Sequence, residues 1–324
     1  MRKLTVLAGL VVAGIMSSTV GVVPAIAQEG TIPVIVKNTS SFYWQILLAG
    51  ARKAGKELGV NISELGPQVD TDIAGQISIL ENAVANNPLA VVIAATQFEA
   101  LGKPIDEAAT KTTVVGVDSG ANSKAYASFV TTNNVEGGRA AGEALAQAIA
   151  AKYGKPEGEV FIITSVPGAG SLDARAEGFK AILAEKYPDI TIVADKVADG
   201  QITTGLNITN DVMLANPNLR GAFASSEEMA LGVSQGVAEN NAQDRVMVVA
   251  FDSNEQLVKR LADGGVAALI VQDPFRMGYE SVKIAFAASK GESVPPEVDT
   301  GVNVITKENM DTERSKELLN PQIN

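Results

Sequence analysis

From residue 32 almost to the end of the chain, short apolar runs alternate with longer segments of helical period. A short strand reaches a parallel neighbour only through a crossover, and a helix-length amphipathic segment between two runs supplies one, so the alternation dictates stacked βαβ units. The first set reads strand 32–36, a helix, strand 60–65, helix 73–86, strand 90–94, helix 99–109, strand 113–117 and strand 128–132. Trp44, Leu47, Leu48, Ala51, Gly55 and Leu58 share one face of its first helix, and Gly59 stands where a helix-ending glycine belongs. The second set reads helix 135–152, strand 159–164, helix 173–187, strand 191–194, helix 201–215, strand 221–224, helix 227–240 and strand 246–251. A short helix 255–263, strand 267–271, a helix near 277–290 and an extended stretch 298–305 follow the second set. Two similar α/β halves are expected. No Ser/Gly-rich tether separates them, so several crossing segments should join them as a hinge.

The apolar runs repeatedly end in a residue able to bond a hydroxyl: 32–36 in Lys37, 114–117 in Asp118, 246–251 in Asp252 and 267–271 in Gln272. Ligands of open parallel sheets lie beyond the carboxyl ends of the strands, so these positions are where recognition groups belong. Aspartate is also an ordinary turn residue, and any one of the four read alone fits a plain loop equally well.

Met1, Arg2 and Lys3 precede an apolar stretch and a small-x-small site ending at Ala27, the pattern of an export leader; residues 1–27 are therefore set apart as a signal peptide. A membrane anchor fits less well, because Ser17, Ser18 and Thr19 interrupt the run and Pro24 stops it. The chain has no Cys, hence neither a lipid-attachment thiol nor a disulfide, and an unlipidated exported chain is expected in a periplasm. Removing Arg2 and Lys3 with the leader lowers the net charge from −11 to −13, which argues against a nucleic-acid partner. The 297 residues left exceed what one core usually serves, so two domains are expected. With neither His nor Cys, the common nucleophilic triads and most zinc sites are excluded, and binding gains ground over catalysis.

The segments 32–44, 115–119, 133–138, 174–179, 227–232, 248–252 and 272–278 resemble, in order, those of the periplasmic sugar-binding proteins of the ribose-binding type, which deliver ligands to ABC importers. The resemblance implies an α/β fold of the periplasmic binding protein type I class: two Rossmann-like lobes with parallel sheets, joined by a three-strand hinge near Thr132, Gln272 and Gly301. It implies an N-terminal lobe of residues 28–132 plus 273–301 and a C-terminal lobe of 133–272 plus 302–324. It also implies a monomer that binds a sugar or polyol and docks on a membrane permease, with no cofactor, no metal and no catalysis. Carried over by position, the ligand contacts are Lys37, Ser41, Tyr43, Trp44, Asp118, Ser119, Arg175, Ser226, Asp252 and Gln272. Lys37 stands where a serine is usual, Ser41 and Ser226 where asparagines are usual, and Ser119 where an arginine follows the aspartate. These departures point away from ribose itself.

Such a site suits a polyhydroxyl ligand. Asp118 and Asp252 can each accept from two adjacent hydroxyls, Arg175 offers a fork of donors, and Gln272 offers one group of each kind. Tyr43 and Trp44 can cover a C–H face, or can serve the core from the start of their helix. Arg175 has an alternative as a solvated ion pair with Asp173 or Glu177, and Asp252 as a cap of the following helix. Lys37 discriminates most: pointing inward it replaces the missing arginine beside Asp118, whereas pointing outward it leaves a negative pocket suited to an amino sugar. A receptor for an autoinducer sugar, a sugar-sensing regulator core and a carboxylate glycosidase are the competing readings; the export leader stands where a regulator would need a DNA-binding domain. Asp70 and Asp72 open a near-calcium loop, but Ala74 removes a ligand and the stripe Ile73, Ile77, Leu80 makes the segment helical. Residues 307–316 read as solvated surface.

Overall fold

The computed structural model describes Met1, residues 30–321 and Ile323; the expected signal peptide at 1–27 lies outside the described residues apart from Met1. In chain order the first lobe is built from β1 (Thr31–Ile35), α1 (Phe42–Leu58), β2 (Asn61–Leu65), α2 (Ile73–Ala85), β3 (Ala90–Ile93), α3 (Phe98–Ala109), β4 (Thr113–Val117) and β5 (Ser128–Thr131). The chain then crosses into α4 (Asn134–Tyr153), β6 (Gly158–Thr164), α5 (Gly170–Lys186), β7 (Ile190–Val197), α6 (Ile202–Ala215), β8 (Leu219–Ala224), α7 (Glu227–Glu239), β9 (Met247–Phe251), α8 (Glu255–Asp263) and β10 (Ala268–Val271). It returns for α9 (Pro274–Ser289) and β11 (Glu297–Asp299), and crosses once more for β12 (Asn303–Ile305) and α10 (Glu313–Leu319).

Each lobe holds a six-stranded sheet, in the orders β11-β5-β4-β3-β1-β2 and β12-β10-β9-β8-β6-β7. The two orders are one pattern repeated, a doubly wound sheet, and pairing is parallel except where β12 runs antiparallel to β10. The inner strands are buried on both faces, as the near-continuous Val/Ile/Ala runs require, whereas the edge strands β2, β7, β11 and β12 are partly exposed; helices cover each side.

The expected elements fall within a few residues of those observed, with two differences. The single extended stretch 298–305 is two strands on different sheets: β11 joins β5, β12 joins β10, and Gly301 between them has a φ of +78°. The segment read as solvated surface runs into α10, whose Leu318 and Leu319 are buried in the core of the second lobe. Those two apolar residues lie just past the charged run, too few to show a helical period.

The helices entering from the other lobe pack unusually close. In the first lobe, a Cβ on Gly50 of α1 would lie 1.9 Å from the Phe275 carbonyl oxygen of α9, and one on Gly278 would lie 1.9 Å from that of Leu47. In the second, a Cβ on Gly138 of α4 would meet the Arg175 carbonyl oxygen of α5 at 1.9 Å, and one on Gly178 would meet that of Val135 at 2.0 Å. Only glycine permits this approach. The helices so clamped, α1 and α5, start at the cleft between the lobes.

Candidate functional site

Asp118 and Asp252 occupy equivalent places, just past β4 and β9, with left-handed φ values of +59° and +68°. A non-glycine residue there is strained, and aspartate is among the residues that tolerate it best. The turn is held by backbone bonds from Asp118 N to the Val130 oxygen at 2.8 Å and from Asp252 N to the Ile270 oxygen at 2.9 Å. Each carboxylate is thereby turned over the carboxyl end of its sheet, toward the other lobe.

Each has a cation from its own lobe. Lys37, leaving β1, points inward: it is 4% exposed, its Nζ lies 3.7 Å from Asp118 Oδ2, and it donates to Ser171 Oγ across the cleft at 3.5 Å. The inward alternation is the one observed, and the ammonium also lies 5.9 Å from the Trp44 ring. On the other side Arg175 Nη1 lies 3.8 Å from Asp252 Oδ2. Arg175 is buried, donates from Nε to Asn134 Oδ1 at 2.8 Å and from Nη1 to the Ser225 oxygen at 2.8 Å, and stacks 3.7 Å from the Phe251 ring centre. It is no solvated ion pair. Asp252 accepts from Gln272 Nε2 at 2.7 Å, while the next helix is capped by Asn254, which accepts from Leu257 N. Burial pushes the Asp252 carboxyl up to about 7, against the pull of Arg175 and Gln272.

Tyr43 and Trp44 serve both roles allowed by the sequence. They belong to the first-lobe core and also face the cleft, with their rings edge to face at 5.0 Å. Tyr43 Oη donates to Asp118 Oδ1 at 2.6 Å, so it fixes the carboxylate; burial, followed by the Asp118 and Asp252 charges, holds its phenol well above the usual range. Trp44 is left as the aromatic face.

These groups line one narrow pocket between the lobes, with a cavity volume of about 40 Å³. Lys37, Ser41, Tyr43, Trp44 and Asp118 come from the first lobe; Arg175, Ser226, Asp252 and Gln272 come from the second lobe and its hinge end. Ser119 alone of the ten expected residues is not in the lining: its buried Oγ accepts from Ser171 N at 3.4 Å, in the seam between the lobes. The Ser226 hydroxyl and Gln272 Oε1 are buried without a protein partner, so the pocket wall holds hydrogen-bonding capacity that the protein does not use.

Six further residues complete the lining: Asp70, Ser165, Ser171, Leu172, Glu227 and Glu228. Asp70 was visible in the sequence only as half of a calcium-like pair. The other half, Asp72, caps α2 by accepting from Gly75 N at 2.9 Å, and Asp70 Oδ1 accepts from Asn38 Nδ2 at 2.6 Å. Glu227 and Glu228 look like ordinary acidic residues in a helix's first turn. In the fold Glu227 reaches across the cleft to accept from Tyr43 N at 3.1 Å and also accepts from Asn254 Nδ2 at 2.8 Å. Burial raises Asp70 and Glu227, and burial followed by the charges of Asp70 and Glu227 raises Glu228 to about 8. A further bond, from Phe98 N to the Gly168 oxygen at 2.8 Å, closes the seam beyond the pocket.

Comparison with known proteins agrees with this geometry. Residues 32–293 match the family model described as periplasmic binding protein domain. The ribose import binding protein of Haemophilus influenzae is 31% identical over 309 residues, 95% of this chain and 100% of that protein. A carbohydrate transporter solute-binding protein from Agrobacterium radiobacter, solved in complex with D-arabinose, superposes with a TM-score of 0.89 at 57% identity, covering 90% of this chain and 99% of the other. An ABC transporter solute-binding protein from Agrobacterium vitis, solved with α-D-tagatopyranose, gives 0.85 at 27% identity over 91% and 100% of the two chains. Matched over most of its length by the family model and over nearly all of it by these relatives, the chain belongs to the periplasmic binding protein domain family.

Proposed function

We propose that this protein captures one monosaccharide or sugar alcohol between its lobes and hands it to a membrane permease of an ABC importer, as a soluble monomer of the periplasm. The lobes are residues 28–132 with 273–301 and residues 133–272 with 302–324. The observation that carries this reading is the pairing of Lys37 with Asp118 on one wall of the pocket between the lobes and of Arg175 with Asp252 on the other. A ring with hydroxyls on both edges satisfies both carboxylates only when the lobes are shut, so the ligand draws the open–closed equilibrium toward the closed form.

In this reading Asp118, Asp252, Arg175, Lys37 and Gln272 hold hydroxyls, Ser41 and Ser226 add neutral contacts at the starts of α1 and α7, and Trp44 covers the C–H face. Ser119 supports the seam. Charge-assisted hydrogen bonds contribute about 1.5–3 kcal/mol each, and a few of them reach the ~8 kcal/mol of micromolar binding after ordering costs. The inward Lys37 favours a neutral ligand over an amino sugar. Binding without turnover follows from Asp118 and Asp252 being matched to cations of their own lobes rather than set as an acid and a nucleophile about one bond.

Calorimetry and thermal melting with D-arabinose, D-ribose, D-tagatose and D-glucosamine test this. A neutral sugar present at roughly a thousand times its Kd should add about 4 kcal/mol of stability, with no product formed, and Asp118→Asn should lose that gain. Catalysed conversion of a sugar, or stabilisation undiminished in Asp118→Asn, contradicts the reading.

A further inference from the structure

Asp70 and Glu228 belong to opposite lobes and to neither cation–carboxylate pair. Asp70 lies between β2 and α2, Glu228 is the second residue of α7, and both are half-buried and line the pocket and also a crevice between the lobes beside it. The charged groups facing Asp70 are Lys37, Asp118 and Glu228. Those facing Glu228 are Asp70, Glu227 and Asp252, all acidic. The loop into α6 walls the crevice with Gly200, Gln201 and Thr203, none of them ionisable, and Asp199 is turned back to accept from Gln201 N at 3.1 Å. Lys37 is engaged by Asp118 and Ser171, and Arg175 by Asn134 and the Ser225 carbonyl. Closing the lobes therefore sets Glu228 against negative charge. Two residues away, Ser226 is 8% exposed, lines the same pocket and has no partner for its hydroxyl.

We propose that closure takes up one proton, held by Asp70 and Glu228 together, so that ligand capture is proton-coupled and tightens as the pH falls. The proposal rests on the sugar-capture reading and adds a regulatory property to that same site. Two half-buried carboxylates brought from water into one narrow cleft resist joint ionisation; in the open form the lobes hold them apart and hydrated, and both behave as ordinary acids. In the closed form Glu228 keeps its proton up to about 8. From the ordinary glutamate value of about 4.3 up to that limit, Glu228 itself holds one more proton in the closed form than in the open form. Affinity then rises by up to about tenfold per pH unit of acidification across that window, is flat and weakest above it, and levels off below it. A protonated Glu228 also presents a donor to the pocket, and so favours a ligand oxygen that carries no hydrogen of its own, such as a ring oxygen.

The test is calorimetry with D-arabinose from about pH 6 to about pH 9 in buffers of different ionisation heat, beside X-ray scattering of the ligand-free full chain over the same range. The wild type should bind at least about tenfold more tightly at the acidic end and take up close to one proton on binding between about pH 7 and about pH 8, above the range of Asp252. Glu228→Gln should lose most of that slope, and Asp70→Asn should move it to lower pH. In scattering, acidification should shrink the radius of gyration of the wild type but not of Glu228→Gln. Binding that is independent of pH, or a wild-type slope retained in Glu228→Gln and so owed to Asp252, overturns the proposal. If no sugar binds at any pH, sugar capture fails on its own account. The scattering arm then decides, a shrinkage abolished in Glu228→Gln supporting proton-coupled closure and a pH-invariant radius refuting it.

Discussion

Asp252 shows how a binding residue taxes the fold that carries it. It combines a left-handed backbone, near-complete burial and a carboxyl raised to about 7, so keeping it ionised at neutral pH costs stability that only a ligand returns. A carboxyl whose folded value lies above its unfolded value stabilises the protein below the unfolded value, and that contribution is lost as the pH rises through about 7. Asp252→Asn mimics the protonated form. The ligand-free variant should melt a few degrees above the wild type at about pH 8 and level with it at about pH 4, while its sugar-induced stabilisation is lost at both; differential scanning calorimetry reads all three. At this scale the sequence was informative about strand-end residues, because a polar group after an apolar run marks the sheet's carboxyl edge. It was silent on Asp70 and Glu228, whose meaning comes from a partner in the other lobe. Lys37 lay between these cases: its position could be read, its direction could not.

Elements place these residues through backbone contact rather than through side chains alone. Trp44 rides on α1 and Arg175 on α5, and each of these helices is pressed against one arriving from the opposite lobe through paired glycines. A methyl at Gly138 would meet the Arg175 carbonyl at 1.9 Å, so Gly138→Ala must push α4 and α5 apart. The expected outcome is a loss of about 1–3 kcal/mol in stability, the range for overpacking, together with weaker sugar binding because Asn134 on α4 no longer meets the Arg175 Nε. Urea unfolding and calorimetry on the variant check the two effects separately. Helix and strand positions were legible because the 3.6-residue and two-sided apolar patterns are strong in buried α/β units. The division of 298–305 between two sheets was not, since an extended run carries no mark of which neighbour it will join. Nor was α10, where the helix is short and its buried pair of leucines lies at the end.

At the scale of the whole molecule, two doubly wound lobes related by one repeated strand order turn their carboxyl edges toward each other. Helices α4 and α9, each entered from the other lobe, couple the hinge to the pocket, and the seam is closed by Glu227 on Tyr43 N and by Phe98 N on the Gly168 oxygen. Glu227 can accept from Tyr43 N only in the closed form. Glu227→Ala should therefore weaken sugar affinity by about tenfold or more, chiefly through faster release, an effect of the size expected for losing a hydrogen bond to a charged group. Stopped-flow dissociation reads it, and an unchanged release rate would mean that this bond does not hold the lobes shut. The most direct measurement of the central claim is a crystal structure of the complex with D-arabinose. One sugar ring should lie against Trp44, with separate hydroxyls within hydrogen-bond distance of Asp118 and Asp252 at once. A sugar held by a single lobe, or seated away from these carboxylates, would contradict the account.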